Sequence, residues 1–156
     1  MDPPVAPRLR VQGFDEDLLW PLPPHQVAAL RALFPGSSIV IPSHTIIDLD
    51  DELEVLFEYK TVSGGIHPYD MGDWMLNSLT IDTVGDAASW TQVQEDAMAF
   101  GTTVHVLPSD AVGGAVTASY DDRSSTWESV DDCVLAFWNA CSVHVAPITS
   151  GARAML

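Results

Sequence analysis

Basic side chains are the scarcest class in this sequence. Lys60 is the only lysine, and 6 basic residues in all stand against 22 acidic ones, which gives a formal net charge of −16. Proteins that bind nucleic acid gain much of their affinity by neutralising phosphates with lysine and arginine. The composition therefore excludes a conventional DNA- or RNA-binding protein. Three explanations of the acidity remain: it keeps the protein soluble, it binds a basic partner protein, or it forms a surface that repels phosphate.

Long apolar segments and cysteines are also few. No apolar run approaches the ~18 residues of a membrane span, and residues 1–20 lack the apolar stretch of a signal peptide. We therefore expect a protein that is neither membrane-bound nor exported. Cys133 and Cys141 are too few for a disulfide framework and are expected to be reduced and packed. With 47% hydrophobic residues, the 156-residue chain is predicted to fold rather than to stay disordered.

Catalytic and metal-binding motifs are missing as well. His105 and His144 have similar apolar neighbours and are the candidate ligands of a small metal-dependent enzyme. The five histidines, however, show no HxxxH, HExxH or HxH spacing. The acidic stretch from Asp48 to Glu54 has no glycine where an EF-hand requires one, and no GxSxG, P-loop or GxGxxG pattern occurs. The sequence predicts no enzyme, no metal and no cofactor, and a solvated acidic loop or an electrostatic interface at 48–54.

Three regions follow from the composition along the chain. Residues 1–23 contain five of the eleven prolines and are predicted to be an extended arm. Residues 24–147 are predicted to form a single α+β domain, and residues 148–156 a short C-terminal tail. Four apolar side chains make the arm too hydrophobic to remain in solvent, so we expect it to dock on this domain or on a neighbour. These docking residues are Phe14, Leu18, Leu19 and Trp20.

The first half of the domain shows one short helix and several strands. Pro23-Pro24 suits the first turn of a helix from His25 to Phe34, and Pro35-Gly36 ends it. Alternating or β-branched residues then predict strands. These strands cover residues 39–41, 53–59 and 74–84.

In the second half, two segments fit either a helix or a strand. Ser89 and Gln92 form a capping-box pattern that starts a predicted helix of 15–19 residues, with a strand at 102–107 as the alternative. A strand at 115–120 follows. Residues 127–138 fit an amphipathic helix or part of a long strand from 132 to 145, and we favour the strand. The predicted fold is α+β, a mostly antiparallel sheet of four to five strands with one long helix on one face and a short N-terminal helix.

This order of elements resembles a known family. A proline-rich start, a short helix, a strand at 54–60, a loop with Ser63-Gly-Gly65, and Asp73-Trp74 come first. A strand at 79–84 then leads directly into a helical segment, and the strands 116–120 and 134–146 close the series. Over residues ~24–147 the chain resembles the tail terminator (tail-completion) proteins of long-tailed phages, particularly those that infect actinobacteria.

The resemblance implies a structural virion protein without catalytic residues. Such proteins form a homo-oligomeric ring, usually a hexamer, at the head-proximal end of the tail. The ring caps the major tail tube protein, stops its polymerisation and meets the head–tail connector or head-closure protein, while DNA passes through the lumen without specific binding. Assembly would take place in the host cytoplasm. We hypothesise that acidic side chains line this channel, namely Asp48, Asp50, Asp51, Glu52, Glu54 and Asp70.

A different function class fits the same charge and size. An acidic inhibitor, either an immunity protein or a DNA mimic, would bind a basic nuclease or a host defence enzyme. A DNA mimic needs carboxylates spaced like phosphates over a rigid surface, whereas the acidic residues here are concentrated in predicted loops. The oligomeric mass separates the two classes, because a ring favours the terminator and a monomer bound to a basic protein favours the inhibitor.

Overall fold

The computed structural model describes residues 6–50, 76, 78–85, 101–138 and 140–156. Over these ranges the fold is α+β, with antiparallel sheets and one helix, α1 at Pro24–Leu33. The strands before residue 100 are β1 (Leu9–Val11), β2 (Ile39–Pro42), β3 (Ile46–Asp48) and β4 (Ser78–Thr83). Those after it are β5 (Gly101–Val106), β6 (Val112–Gly113), β7 (Val116–Tyr120), β8 (Arg123–Trp127), β9 (Cys133–Trp138), β10 (Ser142–Val145), β11 (Ile148–Ser150) and β12 (Ala152–Met155).

The largest sheet has five strands in the order β2-β4-β12-β5-β9. Its middle strand is β12, in which Ala154 lies opposite Ile81 of β4 and Met155 lies opposite Val106 of β5. All four residues of β12 are buried. The prediction of a short C-terminal tail over 148–156 is therefore wrong, because these residues include the central strand of the sheet.

A second sheet of three strands, β10-β7-β8, lies beside the first, and two further strand pairs complete the topology. In one of them, β1 from the arm pairs with β3. In the other, β11 pairs with β6. The arm is thus part of the fold of its own chain, and its first strand adds to the domain.

Apolar side chains cover both faces of the five-stranded sheet. On one face, Leu79 and Ile81 pack with Leu30 of α1 and with buried residues of the arm. On the other face, Met155 and Phe137 pack with residues of the three-stranded sheet. This alternation along the strands explains the two separate clusters, since successive strand residues point to opposite faces.

The short N-terminal helix is confirmed, and α1 begins at Pro24 as expected for a proline in the first turn. The predicted strands 39–41, 74–84 and 115–120 correspond to β2, β4 and β7. The strand at 53–59 lies outside the described residues. Within the described part of the chain, no helix is long and apolar enough to cross a membrane.

Two predictions in the second half need correction. The proposed helix from residue 89 does not continue to residue 107, because Gly101–Val106 is a strand; residues 86–100 lie outside the description. Threonine and valine dominate that segment, and β-branched side chains fit a strand better than a helix. The favoured long strand 132–145 is two strands, β9 and β10, separated by a turn in which the Cys141 amide donates to the Trp138 carbonyl at 2.9 Å.

Candidate functional site

The hairpin of β7 and β8 forms one edge of the three-stranded sheet. Asp121 and Asp122 form its two-residue turn, with Asp121 at a φ of +56°, and Tyr120 lies opposite Arg123. All five residues of β8 are exposed, and no described strand pairs with its outer edge. The edge therefore presents backbone N–H and C=O groups to solvent, which is the arrangement that recruits another strand.

On one face of this hairpin, side chains pass from the buried apolar interior to the surface. The register places Val116, Ala118 and Tyr120 on the same face of β7 because they alternate along the strand. Val116 is fully buried, Ala118 partly so, and Tyr120 is exposed. The space between the two sheets consequently opens at this end into a groove of about 220 Å³.

Aromatic rings surround the groove. Trp127 contacts Phe137 edge to face, with ring centroids 6.1 Å apart. Tyr120 and Trp138 also line it and are 60% and 64% exposed. Because burying an aromatic ring removes a large apolar area from water, such exposed rings are typical of binding surfaces.

Arg123 and hydroxyl groups supply the polar part of the groove. Ser119, Ser124 and Ser125 line it together with the Arg123 side chain. Rings that provide apolar contact area and a few polar groups that orient a ligand are the usual composition of a recognition site. This surface is the aromatic groove, defined by Tyr120, Arg123, Trp127, Phe137 and Trp138.

The predicted docking arm packs on its own domain. Leu18 is buried, Phe14 and Trp20 pack against the same apolar cluster, and Leu19 remains 54% exposed. The Trp20 indole N–H donates to the Pro7 carbonyl at 2.8 Å. Three of the four predicted docking residues therefore contact the core of this chain.

Buried Gln26 of α1 holds the arm through its side-chain amide. Its Nε2 donates to the Asp17 carbonyl at 2.8 Å and to a Glu16 carboxylate oxygen at 3.1 Å, while its Oε1 accepts from the Leu19 amide at 3.0 Å. The hydrogen bond from Gln26, followed by the one with His25, lowers the pKa of Glu16. The amide thus satisfies several polar groups of the arm at once.

Carboxylates and arginines form a cluster at the outer side of the arm. Asp17 accepts from Arg8 at 2.9 Å and is also paired with Arg10. Hydrogen bonds from Arg8 and then from Arg10 lower the pKa of Asp17. The Arg8 guanidinium also reaches Asp50 at 3.3 Å.

The predicted channel residues are only partly described. Asp48 ends β3 opposite Leu9, and Asp50 is paired with Arg8, so neither carboxylate is isolated from the arm. The remaining four lie outside the described residues, namely Asp51, Glu52, Glu54 and Asp70. The structure brings Asp48 and Asp50 close to the arm.

The two candidate metal ligands lie on different sheets. His105 is buried in β5, whereas His144 is exposed on β10. Among the described residues, no group of three or more histidine, cysteine, aspartate or glutamate side chains could hold a metal ion. Cys133 and Cys141 form no disulfide with a described residue and are only partly buried.

A buried charge pair joins neighbouring strands of the five-stranded sheet, because Arg153 of β12 lies opposite Asp82 of β4. The Arg153 Nη2 lies 3.6 Å from Asp82 Oδ2, and Arg153 Nη1 donates to the Gly114 carbonyl at 2.7 Å. Desolvation lowers the pKa of Arg153, and the Asp82 carboxylate opposes that shift. A Cβ on Gly114 would lie 2.7 Å from Arg153 Nη1, so glycine leaves the space that the guanidinium needs.

Sequence reasoning missed the aromatic groove. The sequence places residue 127 at the start of a segment that fits a helix or part of a strand from 132, whereas Trp127 ends β8. The available signal was the pair Asp121-Asp122 between two hydroxyl-rich segments, which is a two-residue hairpin pattern.

No family model, curated protein or solved structure matches this chain.

Proposed function

We propose that this protein is a structural component that assembles into a ring, with the role of a tail terminator in a long-tailed phage. The observation that carries the proposal is the exposed outer edge of β8. A protein with an exposed strand edge of this kind stays soluble when a neighbouring copy covers that edge in an assembly. The specific role comes from the resemblance in sequence over residues ~24–147, of which the structure retains the short helix α1 and the strands β4 and β7.

Pairing between copies at such an edge produces a ring when rotational symmetry closes it. If β8 of one copy pairs with a different strand of the next, the contact is head to tail and repeats around an axis. Backbone hydrogen bonds then supply affinity, as they do wherever a strand is added to a sheet edge. The assembled ring would cap the tail tube, stop its polymerisation and meet the head–tail connector or head-closure protein, at the head-proximal end of the tail.

The acidic residues have a role in this arrangement. Carboxylates on the inner wall of the ring would repel phosphates and allow DNA to slide. Asp48 and Asp50 are the described candidates for that wall, with Asp51, Glu52, Glu54 and Asp70 completing the set. A ring structure with a neutral or basic lumen would contradict this part of the proposal.

A proline in β8 tests the assembly directly. Residue pairs of an antiparallel hairpin alternate between hydrogen-bonded and non-hydrogen-bonded, so Ser124, one position from the turn pair Tyr120–Arg123, directs its N–H outward. Ser124→Pro removes that donor, and Ser124→Ala is the matched control. Light scattering and negative-stain microscopy, with and without tail tube protein, should show rings for the native chain and for Ser124→Ala but not for Ser124→Pro.

The second candidate function is the acidic inhibitor, favoured by the net charge of −16. It predicts a monomer that binds a basic nuclease or defence enzyme and does not cap tail tubes. The same light-scattering measurement decides between the two functions. A native chain that stays monomeric with tube protein present, and is captured by a basic enzyme, would overturn the ring.

A further inference from the structure

The aromatic groove is suited to a particular peptide chemistry. Its rings come from three strands, with Tyr120 on β7, Trp127 on β8 and Phe137 on β9. Aromatic-lined grooves bind proline-rich peptides, because the polyproline II conformation is already extended and loses little entropy when it docks. The rings thus favour proline over a flexible apolar side chain as the main contact.

The guanidinium in the groove adds a charge requirement. The other four arginines each bond an acidic or polar group of the described chain. Arg123 is exposed, and its guanidinium forms no hydrogen bond or ion pair with any described residue. A ligand for this groove should therefore combine prolines with a carboxylate.

The chain itself carries such a segment. Residues 1–5 read Met-Asp-Pro-Pro-Val, so a carboxylate directly precedes two prolines. These five residues lie outside the described part, and Pro7, which is buried and bonded to Trp20, fixes the chain that follows. In the polyproline II conformation five residues span about 16 Å, enough to reach across a subunit boundary.

We infer that the aromatic groove of one copy binds residues 1–5 of a second copy. Pro3 and Pro4 contact the rings of Tyr120 and Trp127, and the Asp2 carboxylate pairs with Arg123. This inference rests on the proposed assembly and names one of its contacts. Because donor segment and groove are different surfaces, the contact is head to tail and suits a closed ring.

A labelled synthetic peptide of residues 1–7 measures the contact without requiring a ring. Fluorescence anisotropy with the full-length chain should show saturable binding. Tyr120→Ala should weaken it by about tenfold, as expected for loss of an aromatic anchor, and Arg123→Glu by about threefold or more. Val84→Ser, at another exposed apolar position, is the matched control and should leave binding unchanged.

Charge exchange between copies then tests whether the contact is intermolecular. In sedimentation velocity, the Asp2→Lys chain alone and the Arg123→Glu chain alone should each self-associate less than the native chain. An equal mixture of the two should regain association, because each segment then finds an opposite charge in the other copy. A mixture that does not regain association overturns the intermolecular contact.

The outcomes separate this inference from the proposed function. Rings that cap tail tubes but show no peptide binding, and no effect of Arg123→Glu, would overturn the groove contact and leave the ring. Peptide binding that depends on Tyr120 and Arg123, in a chain that never caps a tube, would support the groove contact and contradict the terminator role.

Discussion

At the scale of single residues, the structure places charge in two very different settings. Arg153 and Asp82 are buried on neighbouring strands of the five-stranded sheet, whereas Arg8, Arg10 and Asp17 lie near the surface of the arm. Burial decides their energetic weight, because a buried charge without its partner is costly, while water and salt screen an exposed pair.

Removing one member of the buried pair should destabilise the protein strongly. We expect Arg153→Met to lower the free energy of unfolding by about 3–5 kcal/mol, because Asp82 keeps a buried charge without its counterion. The double variant Arg153→Met/Asp82→Leu should recover most of that loss. Urea unfolding measures both, and Arg123→Met at an exposed site is the control, expected within about 0.5 kcal/mol of the native chain. Equal losses in the single and double variants would contradict this account.

The surface cluster of the arm should make stability depend on pH. The pKa of Asp17 is lowered in the folded protein, so its contribution is present above the unfolded value of about 4 and is lost as the pH falls through the folded pKa. Thermal unfolding from pH 7 to pH 2.5 should show a steeper fall in Tm for the native chain than for Asp17→Asn. The curves should converge in acid, with Asp15→Asn following the native chain. Parallel curves would mean that Asp17 has no such role.

At the scale of elements, some strands follow from the local sequence and others do not. The strands β2, β4 and β7 and the helix α1 follow from local patterns, since each contains its own periodicity or proline signal. The strand β12 does not, because Ala-Arg-Ala-Met has no β-branched residue and its place depends on partners 70 residues earlier. The aromatic groove was equally hidden, because three strands of two sheets combine to form it.

Because β12 is the central strand of the sheet, substitutions in it should strongly lower the free energy of unfolding. Ala154 is almost fully buried opposite Ile81, so Ala154→Asp should cost more than about 3 kcal/mol through an unpaired buried charge. Ala136→Asp, the same change at an exposed position of β9, is the control and should be nearly neutral. Deleting residues 152–156 should abolish cooperative unfolding in circular dichroism. A folded deletion variant would contradict the topology.

The turn into β12 should depend on glycine. Gly151 has a φ of +75°, and an added Cβ would lie 2.5 Å from the Asp110 carbonyl oxygen. Gly85 has a φ of +82° with nothing within 4 Å of such a Cβ. Gly85→Ala should therefore cost about 1 kcal/mol from backbone strain alone, whereas Gly151→Ala should cost about 3 kcal/mol or more. Similar losses in denaturant unfolding would show that the backbone near Asp110 moves easily.

At the scale of the whole molecule, charge would govern how copies meet in the proposed ring. Each chain carries −16, so neighbouring copies would repel one another unless salt screens them. The exposed strand edge and the aromatic side chains of the groove would provide attraction at short range. Assembly would be the balance of these two effects.

This balance predicts the sign of the salt dependence. Raising ionic strength from 0.01 to 0.1 M shortens the screening length from about 30 to about 10 Å. Light scattering should then show more assembled protein at the higher salt concentration. A complex with a basic enzyme would respond in the opposite direction, because salt weakens attraction between opposite charges. Dissociation of rings by moderate salt would contradict repulsion as the main electrostatic effect.

The position of β12 also determines when the protein can fold. Ribosomes add about 5–20 residues per second, so the middle strand of the main sheet is made several seconds after β4, which precedes it by about 70 residues. Until β12 emerges, β4 and β5 have no strand between them. The sheet therefore closes only after residue 155 has been made, and any chain that terminates before β12 leaves two unpaired strand edges exposed to aggregation and to proteases.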